Sequence, residues 1–174
     1  MLEKNNIYLI GPMAAGKSTV GRLLAKRLNK TFYDTDVEII ECTGVEIALI
    51  FELEGEEGFR QRETETLRKL SSLEGAVVAT GGGIVLREEN VALLQQTGRI
   101  VYLQCSVEQQ LRRTKYDTKR PLLQIANPRV KLEQLMKERA PIYESIADIK
   151  ISTNKTNSKR VINGILDKLR VKSE

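Results

Sequence analysis

Residues 11–18 have the residue types and the spacing of a loop that binds phosphate groups. They read Gly-Pro-Met-Ala-Ala-Gly-Lys-Ser, which fits G-x-x-x-x-G-K-[ST], between a strand-like apolar run and a helical pattern. In that context backbone N–H groups and the helix N-terminus bind phosphate oxygens. Lys17 can reach the β- and γ-phosphates of a nucleotide, and the Ser18 hydroxyl can ligate magnesium. The weaker alternative is a glycine-rich turn followed by a surface lysine.

An acidic pair, Asp34 and Asp36, follows the second strand-like run. Because the two residues are two apart, both carboxylates would face the same side of an extended chain, toward the crevice beside the phosphate loop. One carboxylate can hold magnesium, directly or through water, and the other can accept a proton from an attacking hydroxyl. The alternative role for either aspartate is to cap the next helix.

Three further features could bind an anionic acceptor or the phosphates. Residues 81–83 are three glycines after the third strand-like run, and they offer exposed backbone N–H donors or simply form a tight turn. Arg60 and Arg139 suit a carboxylate, although each alone is better explained as a solvated surface charge. Arg120 lies in the charged, irregular segment 115–125, which is typical of a lid over the phosphates or of an ordinary exposed loop.

Composition excludes several classes of protein. The chain has 174 residues and no histidine, which rules out Ser-His-Asp and Cys-His catalysis and His-ligated zinc. Any general base is therefore a carboxylate, a lysine or a tyrosine. The net charge of +5 is interleaved with acids along the chain, so we expect an anionic small molecule rather than nucleic acid as the partner. No D-x-x-G follows a strand, and the segment 154–157 lacks the acid that reads guanine, which disfavours a GTPase.

Two further counts bear on the cellular setting. No apolar run approaches the ~20 residues that a membrane helix needs, so no membrane partner is expected. The two cysteines form no spaced framework, which favours a reducing, cytoplasmic setting.

Alternating strands and helices must position these residues. Five continuous apolar strands separated by helices predict one α/β domain, with a parallel sheet covered on both faces. In such sheets ligands bind beyond the carboxyl ends of the strands, where all of these motifs lie. Strands are expected at 7–10, 31–34, 76–80, 99–103 and 148–152, and helices at 17–28, 37–41, 46–51, 57–73, 88–96, 107–114, 129–145 and 158–171.

Taken together, the motifs resemble those of shikimate kinases over essentially the full length of the chain. The resemblance implies a three-layer α/β/α fold of the P-loop NTPase type with a five-stranded parallel sheet. It also implies transfer of the γ-phosphoryl group of ATP to the 3-hydroxyl of shikimate, which gives ADP and shikimate 3-phosphate for aromatic amino-acid biosynthesis. The shared segments, alike in order and spacing, are residues 11–19, 32–36, 54–60, 79–83, 120–123 and 138–143.

The resemblance further implies roles for individual residues. Asp34 and Ser18 would hold one magnesium ion, and Asp36 would bind and activate the shikimate hydroxyl, with Lys17 and Arg120 as the other catalytic residues. A lid would occupy about 113–126 and a substrate-binding helical region about 36–62, in a monomer. Shikimate would be held by Asp36, Arg60, Gly82 and Arg139, and ATP by Ala14, Ala15, Gly16, Lys17, Ser18, Thr19, Arg113 near the adenine, Arg120 and Thr156.

The sequence departs from the family pattern in two places. Ala14 replaces a glycine that many members carry, which should be tolerated if φ is negative there. The segment 154–158 lacks the arginine and proline that some members place beside adenine.

Two alternatives to this function stay open at this point. One is a gluconate-type or nucleotide kinase on the same scaffold. The other is a catalytically silent nucleotide-binding module, although such a module would have been expected to lose Lys17 or Asp36, and the chain keeps both.

Overall fold

Five strands form one all-parallel sheet in the computed structural model, which describes residues 5–117, 123 and 125–171. The strand order β2-β3-β1-β4-β5 sets the carboxyl ends of β2, β3 and β1 side by side, so the segments that follow these three strands meet at one edge. The strands are β1 (Asn6–Ile10), β2 (Thr31–Asp34), β3 (Ala76–Ala79), β4 (Gly98–Gln104) and β5 (Ile149–Ser152).

The described residues also form seven α-helices and a short 3-10 turn, Ile84–Leu86. None of the helices within the described residues is long and apolar enough to cross a membrane. The helices are α1 (Lys17–Leu28), α2 (Thr35–Thr43), α3 (Ile47–Ser71), α4 (Glu88–Thr97), α5 (Val107–Thr114), α6 (Pro128–Ile146) and α7 (Ser158–Val171).

Helix α3 is kinked at Gly55, where φ is 70° and ψ is −176°. Residues with a side chain rarely adopt this conformation, so the glycine lets one helix turn sharply into the next. The kink explains why the sequence predicts two helices, at 46–51 and 57–73, on either side of this glycine.

The central strand β1 is buried along its whole length, as expected for a parallel sheet covered on both faces. Ile7 and Leu9 pack on one face of the sheet with residues of α1 and α7. Tyr8 and Ile10 pack on the other face with residues of α3, α4 and α6. Fully burying one such side chain contributes roughly 1.5–3 kcal/mol, so these two layers hold the sheet edge that carries the site in place.

The expected α/β architecture with a five-stranded parallel sheet is confirmed. The helices 17–28, 107–114 and 158–171 and the strand 31–34 have the predicted bounds, and the remaining elements differ by one to a few residues. The sequence did not predict the turn Ile84–Leu86, which is too short to show a period.

Candidate active site

The phosphate loop (residues 11–18) runs from β1 into α1, as its motif predicts. Both of its glycines are required by the backbone. Gly11 has φ of 145°, and a Cβ there would lie 2.5 Å from the carbonyl oxygen of Leu103 in the neighbouring strand. Gly16 has φ of 89° and forms the N-cap of α1. The N-terminus of α1 therefore opens directly from the loop, which is the arrangement that binds phosphate oxygens.

The backbone conformation of Ala14 differs from the expectation. Alanine was expected to be tolerated on the condition that φ is negative, and the structure gives it φ of 61° in the left-handed region. For a residue with a Cβ this conformation costs roughly 1–2 kcal/mol, so the loop carries local backbone strain. The sequence could not show this, because the conformation depends on where β1 and α1 hold the two ends of the loop.

Lys17 folds back over the phosphate loop. Its Nζ donates hydrogen bonds to the carbonyl oxygens of Gly11 at 2.6 Å and Pro12 at 2.8 Å. The ammonium group is thus held against the backbone of the loop whose motif binds phosphates.

The acidic pair is arranged differently from the expectation. Asp34 ends β2, but Asp36 lies in the first turn of α2, so the two carboxylates are not on one face of an extended strand. Asp34 caps α2, because its Oδ1 accepts from the backbone N–H of Asp36 at 3.0 Å and of Val37 at 3.4 Å. Its Oδ2 accepts a hydrogen bond from the hydroxyl of Ser18. The capping role and a place beside the phosphate loop thus belong to the same residue.

Arg60 and Glu63 form a buried ion pair on α3. Arg60 is 8% exposed and Glu63 is fully buried, and Nη1 of the arginine donates to Oε1 of the carboxylate at 2.8 Å. Burial raises the pKa of Glu63 above its ordinary value, although the neighbouring Arg60 opposes the rise. The other carboxylate oxygen, Oε2, has no hydrogen-bond partner among the described residues. Glu63 was not among the residues predicted for the site, although its spacing of three from Arg60 places both on one face of a helix.

The glycines at 81–83 let neighbouring side chains approach the backbone closely. A Cβ on Gly81 would lie 2.6 Å from Oε2 of Glu63 and 3.2 Å from Oδ1 of Asp36. A Cβ on Gly83 would collide with the guanidinium of Arg60. The backbone N–H of Gly81 donates to Oγ1 of Thr35 at 3.0 Å, which ties this loop to the start of α2. A plain tight turn would not need these contacts.

Arg139 approaches the same glycine loop from α6. It is 8% exposed, its Nη1 lies 3.4 Å from where a Cβ of Gly82 would stand, and its Nε has no partner among the described residues. Tyr143, one turn later, donates a hydrogen bond to the carbonyl oxygen of Gly82. Burial raises the pKa of Tyr143, so the phenol stays protonated and keeps donating. Only the position of Tyr143 in the motif 138–143 signalled this role.

The remaining residues expected to bind ATP lie in the phosphate loop, on α1, on α5 and between β5 and α7. Arg113, on α5, donates to the carbonyl oxygens of Ala14 at 2.8 Å and Thr153 at 2.6 Å. Thr156 lies between β5 and α7. Ala15 is buried in the core and Thr19 is exposed in the first turn of α1. Arg120 and part of the expected lid lie outside the described residues.

The oxygen donors at the end of β2 are of a kind that suits magnesium. The Ser18 hydroxyl and the Asp34 carboxylate meet there, and hard oxygen ligands are what Mg²⁺ binds, usually with substrate phosphates and water completing the shell. Within the described residues no group of three or more His, Cys, Asp or Glu is placed to hold a metal without such help.

Comparison with known proteins decides the family. The shikimate kinase family profile matches residues 13–170, which is nearly the whole chain. The chain belongs to the shikimate kinase family. It is an ATP-dependent kinase, with the activity from which the family takes its name. This decides against the silent nucleotide-binding module and against the gluconate-type kinase.

Individual shikimate kinases match closely in sequence and in structure. The enzyme of Haemophilus influenzae (strain PittEE) is 52% identical over 168 residues, covering 96% of this chain and 93% of that protein. The structure of the Acinetobacter baumannii enzyme in complex with shikimate has a TM-score of 0.94 at 47% identity, covering 99% of this chain and 96% of the other. The Aquifex aeolicus enzyme has a TM-score of 0.85 at 39% identity, covering 97% and 98%.

Proposed function

We propose that this chain transfers the γ-phosphoryl group of ATP to the 3-hydroxyl of shikimate, giving ADP and shikimate 3-phosphate for aromatic amino-acid biosynthesis. It works as a monomer of one domain in the cytoplasm. The observation that carries the acceptor assignment is the guanidinium of Arg139, which is buried and whose Nε has no hydrogen-bond partner among the described residues. The Glu63 carboxylate interacts electrostatically with Arg139 but is hydrogen-bonded to Arg60. A buried guanidinium that shares its counter-charge in this way favours an acceptor that brings a further anion.

The carboxylate of shikimate supplies that anion. Arg60 and Arg139 both approach the glycine loop 81–83, and arginine presents a planar fork of donors that matches a carboxylate. Glu63 already accepts from one nitrogen of Arg60, so we expect Arg139 to contribute more than Arg60 to binding the shikimate carboxylate. Gly82 adds a backbone donor beside them, and the helical region 36–62 forms one wall of the acceptor site.

Asp36 holds the hydroxyl that attacks. Its Oδ1 lies near Glu63 and Gly81, so it is on the same side of the sheet edge as the two arginines. It orients the hydroxyl and accepts its proton, and since phosphoryl transfer is largely dissociative, orientation is the larger part of this task.

The phosphate loop and its neighbours hold ATP. Backbone N–H groups of residues 14–19 bind the phosphate oxygens, and Lys17 moves from its two carbonyl partners to the β- and γ-phosphates. Arg113 and Thr156 lie toward the adenine end. That Arg120 covers the transferred group from a lid at about 113–126 stays a prediction.

Ser18 and Asp34 hold one magnesium ion, Ser18 directly and Asp34 directly or through water. When bound, the ion neutralises charge on the β- and γ-phosphates. Ser18 and Asp34 already contact each other, so the two oxygens need little rearrangement to share a cation.

A coupled assay of ADP release tests the proposal. Shikimate, quinate and gluconate are offered in turn with ATP and magnesium, and shikimate should give the highest kcat/KM. Quinate keeps the carboxylate but changes the ring, so it controls for simple anion binding. Turnover with gluconate and none with shikimate would overturn the acceptor assignment.

A further inference from the structure

Arg113 joins two segments that are far apart in sequence. From α5, its Nη1 donates to the carbonyl oxygen of Ala14 at 2.8 Å, and its Nη2 donates to the carbonyl oxygen of Thr153 at 2.6 Å. The first oxygen belongs to the phosphate loop and the second follows β5 directly. The thiol of Cys105 lies 3.8 Å from the Ala14 oxygen and is only a weak second donor to it. The guanidinium is therefore the main polar contact of this loop carbonyl.

The anchor at Thr153 is rigid. Thr153 is 3% exposed, its backbone N–H donates to the carbonyl oxygen of Gln104 at 2.8 Å, and its Oγ1 donates to the same oxygen at 3.0 Å. Gln104 is the last residue of β4. A guanidinium that holds the Thr153 carbonyl is thus fixed relative to the sheet, and it can transmit that position to whatever its other nitrogen binds.

The loop residue that Arg113 holds is the strained one. Ala14 has φ of 61°, which an alanine does not favour by itself. The direction of its carbonyl, and with it the direction of the following N–H groups that face the phosphates, depends on keeping this conformation. An interaction from outside the loop is the kind of restraint that maintains such strain.

We propose that Arg113 is a positioning residue, which holds the phosphate loop in its phosphate-binding shape through the Ala14 carbonyl. This inference rests on the proposed role of the loop in binding ATP. It is separate from a contact with adenine, because the two N–H groups that hold the carbonyls lie in the plane of the guanidinium and act on the protein backbone. Nη1 of Arg113 also lies 3.4 Å from Oγ1 of Thr153 and 3.6 Å from Sγ of Cys105, and these contacts are longer than those to the two carbonyls, which are therefore its principal partners.

A ligand with phosphates and no adenine separates the two roles. Binding of inorganic tripolyphosphate and of ATP, each with magnesium, is measured by calorimetry for the wild type, Arg113→Ala and Arg112→Ala. Arg112 is the matched control, since it is the neighbouring residue on the same helix, is exposed as Arg113 is, and carries the same charge. Arg113→Ala should weaken tripolyphosphate binding about ten-fold or more, and Arg112→Ala no more than about two-fold. Unchanged tripolyphosphate binding in Arg113→Ala, with weaker ATP binding, would overturn the inference.

The left-handed conformation of Ala14 provides a second test of the proposal. Glycine adopts the left-handed conformation readily, so Ala14→Gly should keep the loop shape without Arg113. In the Ala14→Gly background the loss caused by Arg113→Ala should shrink to about three-fold or less. An equal loss in both backgrounds would mean that Arg113 acts on the phosphates directly, and it would reject positioning through Ala14. Thermal melts establish that each variant is folded, and failure of the wild type to bind either ligand would instead reject the proposed function.

Discussion

The hydroxyl of Ser18 donates a hydrogen bond to Oδ2 of Asp34, which joins the phosphate loop to the end of β2. The other oxygen of Asp34 caps α2. One carboxylate therefore has a structural task and a proposed task at the metal, and substitutions can separate the two.

We expect Asp34→Asn and Asp34→Ala to differ. Asparagine caps a helix about as well as aspartate, so Asp34→Asn should keep the free energy of unfolding near that of the wild type, whereas Asp34→Ala should lose ~1 kcal/mol. Both remove the charge, so both should raise the magnesium concentration needed for half-maximal activity, and added magnesium should partly restore Asp34→Asn. Urea unfolding and a magnesium titration measure the two effects. An unchanged magnesium requirement would remove Asp34 from the metal site.

Arg139→Lys tests the acceptor site. Lysine keeps the charge but loses the planar fork, and a hydrogen bond to a charged group is worth ~1.5–3 kcal/mol. The apparent affinity for shikimate should therefore fall about ten-fold or more, while ATP binding without shikimate stays near the wild-type value. Arg129→Lys is the control, because Arg129 is exposed on the same helix and pairs with Glu108 at the surface. An unchanged KM for shikimate in Arg139→Lys would contradict the assignment.

The sequence predicted the fold and most of the site because those features are local. Apolar runs show strands, periodicity and capping residues show helices such as 158–171, and the spacing of the phosphate-loop motif is fixed by the loop itself. The strand order of the sheet then places the ends of β1, β2 and β3 side by side, so motifs at the ends of these strands must lie close together.

Features that depend on distant parts of the chain could not be predicted. The sequence suggested that Asp36 lies on an extended chain, but Asp34 caps a helix that starts at Thr35, so Asp36 is already helical. The roles of Glu63 and Tyr143 arise from Gly81 and Gly82, which belong to another segment. The conformation of Ala14 likewise follows from the elements at either end of its loop.

Glu63 predicts a pH dependence of stability. Burial raises the pKa of its carboxyl in the folded state above the ordinary value of 4.5. Between pH 4.5 and that raised pKa, the folded chain therefore binds more protons than the unfolded chain. Stability contributed by this group is therefore fully present below pH 4.5 and is lost as the pH rises through the raised pKa. The free energy of unfolding of the wild type should fall, relative to that of Glu63→Gln, as the pH is raised across this window.

Urea unfolding at a series of pH values measures the difference between wild type and Glu63→Gln. Glu65→Gln is the control, since it removes an exposed carboxylate from the same helix and should give a difference that stays nearly constant. If the wild type instead gains stability over Glu63→Gln with rising pH, the attraction of Arg60 outweighs the cost of burial, and the pKa of Glu63 is lowered rather than raised.

Asp36→Asn tests the residue proposed to act on the acceptor hydroxyl. The amide keeps the shape of the side chain at the start of α2 but removes the charge and the ability to take a proton. A positioned general base contributes ~10²–10⁴-fold, so kcat should fall by a factor in that range, and shikimate affinity should fall as well because a carboxylate accepts stronger hydrogen bonds from ring hydroxyls. ATP affinity without shikimate should stay close to that of the wild type.

Steady-state kinetics at several magnesium concentrations separate this result from that of Asp34→Asn, because magnesium should not rescue Asp36→Asn. If Asp34→Asn abolishes turnover at every magnesium concentration while Asp36→Asn remains active, the roles of the two carboxylates are reversed.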